Sequence, residues 1–229
     1  MCEKKEIIIN QLRNLEKRKN KLIEILKKLK DELMVDDWYV NSNICFILSC
    51  PGYYELFNDK VCSGNTGDNL DKVIKHLLDL INKDRQLEKI ILDNKNEKIR
   101  YQSNIINSSN KVHFMELTSD TEPEEKEINT TIESRKITES IKKKDINYYV
   151  LCGEKAIYFF EQIENSIKDK KYKKAVIGHL SYQSVNYLIP NSKLNGCKNS
   201  KDRANKRCEM IADDIFNQFK GKESELFKK

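Results

Sequence analysis

Three places in the chain set a chemically able side chain at the edge of an apolar run. Ser49-Cys50-Pro51-Gly52 closes the run Asn43–Ser49, Asn104 lies in the run Ile99–Ile106, and His179 follows Lys174–Gly178. An imidazole can take up, release or share a proton near neutral pH. A carboxamide pairs donors with an acceptor. Glu55, in the loop after the first run, adds a carboxylate. If the runs are strands of a parallel sheet, their carboxyl ends share one rim, and in such sheets ligands bind beyond that rim. Other chemistry is disfavoured by spacing. The seven cysteines, Cys2, Cys45, Cys50, Cys62, Cys152, Cys197 and Cys208, contain no CxxC pair. A zinc or iron–sulfur site, a disulfide framework and a nucleophilic Cys beside a sequence-near His are therefore not indicated. Gly64 and Gly67 fit neither a P-loop nor GxGxxG and read as turn glycines.

The elements that must hold these residues are legible from periodicity. NICFILS is almost wholly apolar, as a buried parallel strand should be, and Pro51-Gly52 stops it. Leu70, Val73, Ile74, Leu77, Leu78 and Ile81 mark an amphipathic helix. Further strands are expected at Ile99–Ile106, Val112–Leu117, Tyr148–Leu151 and Lys174–Gly178, with helices at Thr130–Lys144, Glu154–Ile167 and Lys201–Phe219. Ser119–Asn129 is acidic and apolar-poor and reads as a solvated linker. Alternating strands and helices predict a three-layer α/β/α sandwich around a mostly parallel sheet. Ile8, Leu12, Leu15, Leu22, Leu26, Leu29 and Leu33 add a long N-terminal helix, its apolar stripe interrupted by Lys19. The expected organisation is residues 1–36 as an amphipathic helix laid on a domain of residues 37–229.

The chain has 229 residues, 42 Lys and Arg against 36 Asp and Glu, and a net charge of +6. A pI near 8.8 suits a nucleic-acid partner without demanding one. No apolar run approaches the roughly 18 residues of a membrane span, and the start does not read as a signal peptide. The expectation is a cytoplasmic protein with reduced thiols, monomeric, with no membrane partner.

Leu48–Leu70 (LSCPGYYELFNDKVCSGNTGDNL) resembles the first motif of the uracil-DNA glycosylase superfamily, closest to the branch that usually carries an iron–sulfur cluster. Pro51, Gly52, Glu55, Gly64 and Gly67 keep that motif's spacing. RYQSNII, with Asn104, resembles the strand bearing the family's base-reading Asn. LCGEKA (151–156) resembles its later strand-Gly-x-x-Ala turn, and His179-Leu180-Ser181-Tyr182-Gln183-Ser184 its His-Pro-Ser segment. The matches fall in family order. The departures are in the pocket: Ser49 and Cys50 replace the acidic or amide residue, Cys62 replaces the Phe platform, Leu180 the Pro, and Gln183 the wedge. The cluster cysteines are missing, so no cofactor or metal is implied.

The resemblance implies a DNA glycosylase that extrudes a nucleotide and hydrolyses its N-glycosidic bond. His179 would stabilise charge on the leaving pyrimidine, Glu55 would hold water or offset the positive sugar, and Asn104 would read the base. Ser49, Cys50, Gly52, Tyr54, Cys62 and Gly64 would line the base site. Ser181, Tyr182, Gln183, Ser184, Arg203, Lys206 and Arg207 would contact DNA. The altered pocket favours a bulky modified cytosine of phage DNA, and hence antiviral defence. Uracil repair and an inactive DNA-binding or interaction module are the alternatives. Each residue also has a plainer structural reading: a hydrogen-bonding His, a turn Asn, a loop carboxylate, and a solvated basic helix face at 203–207.

Overall fold

A computed structural model describes residues 16–20, 40–49, 55, 60–94, 96–108, 139 and 141–227. The order is β1 (Ile44–Leu48), α1 (Asn65–Lys83), a 3-10 turn (Ile99–Gln102), β2 (Asn104–Asn107), β3 (Tyr148–Cys152), α2 (Glu154–Ile167), β4 (Lys173–Ile177), α3 (Tyr182–Leu188), a second 3-10 turn (Asn191–Lys193) and α4 (Ser200–Phe219). The four strands form one all-parallel sheet in the order β2-β1-β3-β4. As the alternation of strands and helices predicts, the protein is α/β.

Period-2 alternation sends the strand side chains into two apolar layers. Ile44, Phe46 and Leu48 of β1 join Ile105, Tyr148, Val150 and Cys152 on the face covered by α1, α3 and α4. Cys45 and Ile47 join Ile106, Tyr149 and Leu151 on the face covered by α2 and by Ile141 and Ile146. Leu70, Val73, Ile74, Leu77 and Ile81 form the buried stripe of α1. His76 of that helix meets Asp213 of α4 at 3.3 Å.

Several expected elements differ. Ile99–Ile106 is not one strand. Residues 99–102 turn because their backbone N–H groups are used outside the sheet: Tyr101 N–H donates to the Lys98 carbonyl, Ser103 N–H to the Arg100 carbonyl, and Arg100 N–H to Asp71 Oδ1 of α1. Pairing starts only where Asn104 meets Cys45. The helix α3 was not expected from periodicity, and its start is fixed by Ser181, whose hydroxyl accepts from Ser184 N–H at 3.3 Å. Of the N-terminal helix, residues 16–20 are helical and the rest lies outside the described residues. The same holds for Thr130–Lys144, where residues 139 and 141–143 are helical. Val112–Leu117 and Ser119–Asn129 lie wholly outside the described residues. Among the described residues no helix is long and apolar enough to cross a membrane.

The exposed edge of β4 is closed by a side chain. Gln218 of α4 accepts from Val176 N–H at 2.8 Å and donates back to the Val176 carbonyl at 2.9 Å, imitating a neighbouring strand. Asp214 Oδ2 holds the same carboxamide at 3.0 Å. Unpaired strand edges invite association. Gln218→Ala should therefore lower unfolding free energy by about 1–3 kcal/mol, read as a lower urea midpoint at unchanged m.

Candidate functional site

All four strands deliver their carboxyl ends to one rim, in the spatial order Asn107, Leu48, Cys152, Ile177. Short polar bonds stitch the residues just beyond. Ser108 N–H donates to the Leu48 carbonyl at 2.7 Å, and Ser108 Oγ to the Ser49 carbonyl at 2.6 Å. Ser49 Oγ donates to the Cys152 carbonyl at 3.3 Å, and Gly153 N–H to the Ile177 carbonyl at 2.8 Å. Gly153 sits at φ +93°, and a Cβ there would lie 3.2 Å from Ser49 Oγ and 3.9 Å from His179 Cβ. Only glycine lets Ser49 and His179 flank this turn so closely.

His179 is half-buried and oriented by its own loop. Ser181 N–H donates to His179 Nδ1 at 3.1 Å. A nitrogen that accepts carries no proton, so the neutral ring bears its hydrogen on Nε2. The loop is tied down from α1: Asn69 Nδ2 donates to the Leu180 carbonyl at 3.0 Å, and the Cys208 thiol meets Asn69 Oδ1 at 3.8 Å. The imidazole is thus a donor oriented by Ser181 N–H, on a loop held by Asn69.

Glu55 is buried in the β1–α1 loop. Its Oε1 accepts from Cys62 N–H, and its carbonyl from Lys60 N–H at 3.0 Å. Cys62, at φ 56°, packs with Leu48, Cys152 and Leu180, so this loop stands over the same face of the rim as the His179 segment. Burial pushes its thiol up, and the nearby Glu55 carboxylate adds to the effect. Burial also raises the Cys45 and Cys152 thiols. These are packing cysteines, not thiolate nucleophiles. The turn is locked further by Gly67, where a Cβ would stand 1.9 Å from the Cys62 carbonyl and 2.1 Å from Arg100 Nη1. Arg100, only 1% exposed, meets Asp68 at 3.2 Å and Asp71 at 3.4 Å. Behind Cys62 opens a polar cleft of about 530 Å³ lined by Lys60, Ser63, Gly64, Arg100 and Tyr101, with Asn96, Glu97 and Lys98 on its other wall.

Asn104 does not belong to this rim. It opens β2, three residues before the carboxyl end and on the α2 side of the sheet with Ile106. Its Nδ2 donates to the carbonyls of Ser42 at 2.8 Å and Ile44 at 3.1 Å, and its Oδ1 accepts from Lys144 Nζ at 2.7 Å. Burial lowers the Lys144 amine from its usual range. The carboxamide is a brace at the amino end of the sheet, about 10 Å of strand from the rim.

The residue that does reach the rim is Asn107, paired with Leu48 and sharing the face of Ile105. It is 6% exposed, and its Oδ1 has no hydrogen-bond partner among the described residues. The repeat Asn-Ile-Ile-Asn held the signal. Once the strand is 104–107, its last residue, not its first, reaches the carboxyl rim.

The remaining candidates divide. Gly64 precedes α1 at φ 79° and lines the cleft. Ser181 and Ser184 are half-buried and bond to each other at 2.9 Å within the α3 cap, and Gln183 is exposed. Arg203 is half-buried, and Lys206 is exposed and paired with Glu209 at 3.1 Å. Arg207 is a correction. It is buried, with Nε donating to the Ile189 carbonyl at 2.8 Å and Nη2 to Asn191 Oδ1 at 2.7 Å, so it braces the loop after α3 and does not face a phosphate. Cys50, Gly52, Tyr54 and the Tyr182 side chain lie outside the described residues. No known family model matches the chain, and no curated protein matches it.

The two asparagines should part in denaturation. Asn104→Ala removes three hydrogen bonds and should cost about 2–4 kcal/mol of stability. Asn107→Ala removes an acceptor without a partner among the described residues and should change stability by less than about 1 kcal/mol. Equal losses in urea titrations would make both structural.

Proposed function

We propose that the protein is a DNA glycosylase that hydrolyses the N-glycosidic bond of a non-canonical pyrimidine, with a bulky modified cytosine of phage DNA as its target and antiviral defence as its role. The observation that carries this reading is an imidazole with Nε2–H and a buried carboxamide oxygen without a partner among the described residues, both at the carboxyl end of the same sheet. The resemblance of the Pro-Gly, strand-Gly and His segments to uracil-DNA glycosylases supports it. On that resemblance, the base-reading role given to Asn104 passes to Asn107.

In this reaction the C1′–N1 bond breaks, its electron pair leaves with the base, and water oxygen bonds to C1′. The sugar passes through a cationic state while the pyrimidine becomes an anion. His179 Nε2–H donates to O2 as that charge develops, from a position fixed beforehand by Ser181 N–H and by Asn69. Asn107 Oδ1 accepts from the base's hydrogen-bonding edge, a pairing that only an extruded base supplies. Glu55 sets a negative charge on the loop side, where it offsets the sugar cation, and the water's proton passes to this carboxylate or to solvent. Cys62, where the family has a Phe, is a smaller side chain, and that change favours a substituent larger than a methyl group. The same reading makes it a cytoplasmic monomer acting without a cofactor.

The test is base release from oligonucleotides carrying uracil, hydroxymethylcytosine or glucosylated cytosine, scored as alkali-labile abasic sites. The expected result is release from a modified cytosine, falling about 10²–10³-fold in His179→Ala with DNA binding kept. Release from uracil alone would point to repair. DNA binding with no release from any of the three would leave a non-catalytic module.

A further inference from the structure

We propose that the outer face of α3 and the chain leading into α4 form a track for single-stranded DNA, with Tyr187 as its stacking platform. The proposal rests on the reading above for the identity of the nucleic acid. Its physical grounds are separate.

The helix α3 has two faces. Val185 and the following Ile189 are buried in the core layer, while Gln183 and Tyr187, four residues apart, point outward. Tyr187 is 88% exposed, against 57% for Ile91 and 37% for Tyr158, the other large hydrophobic side chains exposed among the described residues. A lone exposed aromatic carries no meaning by itself. This one is followed at once by a concentration of positive charge. Residues 190–206 hold five cations, Lys193, Lys198, Lys201, Arg203 and Lys206, against one acid, Asp202. The four lysines are exposed and Arg203 is half-buried.

Arg207 fixes the two parts together. By gripping the Ile189 carbonyl and Asn191 Oδ1 it holds the segment after α3 against α4. The start of the basic stretch is therefore anchored two to four residues beyond Tyr187. The other end of α3 starts at the Ser181 cap, two residues after His179. A strand lying along this surface would reach the rim of the sheet within a few nucleotides.

Exposed aromatic rings with flanking cations suit unpaired nucleic acid: bases stack on the ring and phosphates meet the lysines. In a duplex both faces of each base are covered by its neighbours, so an open ring on a convex helix face favours a single strand.

The experiment measures binding of fluorescently labelled 12-mers without any modified base, as single strand and as duplex, across a salt series. The single strand should bind more tightly. Tyr187→Ala should weaken it by roughly 5–100-fold, Tyr187→Phe should restore it to within about twofold, and duplex binding should change little. Lys198→Ala with Lys201→Ala should reduce the salt slope by about 1.4. Duplex binding as tight as single-strand binding, or a Tyr187→Ala protein equal to the parent, would overturn the track. The glycosylase reading fails separately: if no base is released while these binding differences hold, the track stands and the reaction does not. If base is released while Tyr187→Ala binds normally, the reaction stands and the track falls.

Discussion

In a sheet whose strands all run the same way, every strand delivers its last residue to the same edge, and side-chain alternation decides which layer that residue enters. The register of β1 between β2 and β3 imposes both conditions here. It sets Asn107 beside Leu48, and the β3–β4 register sets Cys152 beside Ile177, so that the Ser49, Gly153 and His179 turns come together. A shift of one residue in β2 would turn Asn107 into the opposite layer and leave Ile105 and Ile106 on the wrong sides. The apolar pairing of the central strands thus fixes the polar geometry of the rim.

The loops show how that geometry is kept rigid. Glu55 holds Cys62 in a left-handed turn, Gly67 admits the Cys62 carbonyl and the Arg100 guanidinium, and Asn69 holds Leu180. The Glu55 and Asn69 side chains satisfy backbone groups that would otherwise be stranded near the core. Against this economy of bonding, Asn107 Oδ1 has no partner among the described residues; Arg100 Nε and the Tyr149 hydroxyl share that state, but of the three only Asn107 closes a strand at the rim. Native folds rarely leave a buried acceptor unsatisfied, and a ligand-binding site is one place where they do.

The strands β1 and β3 and the helices α1, α2 and α4 were legible because their apolar spacing matches one period each. The errors arose where one residue type serves two environments. Asn104 and Asn107 are chemically identical, and only the strand boundary, set where the turn bonds of Arg100 and Ser103 give way to pairing with β1, tells the brace at the amino end from the residue at the carboxyl rim. Arg207 read as a surface cation, yet it lies four and eight residues before Ile211 and Ile215, on the buried stripe of α4. That spacing was visible and was outweighed by the charge. The α3 helix is too short to show a period and depends on its Ser181 cap. Nothing in the sequence could reveal the Gln218 pairing with β4, which needs the tertiary fold to bring α4 alongside.

The account's central claim is that an extruded heterocycle lies between Asn107 and His179 at the carboxyl rim. The most direct measurement is a crystal structure of the complex with an oligonucleotide carrying a carbon-linked pyrimidine nucleotide, whose glycosidic bond resists hydrolysis. The account predicts the base extruded at that rim, with Asn107 Oδ1 on its edge and His179 Nε2 within about 3 Å of an exocyclic oxygen. A base left in the helical stack, or bound at the Asn104–Lys144 end of the sheet, would contradict it.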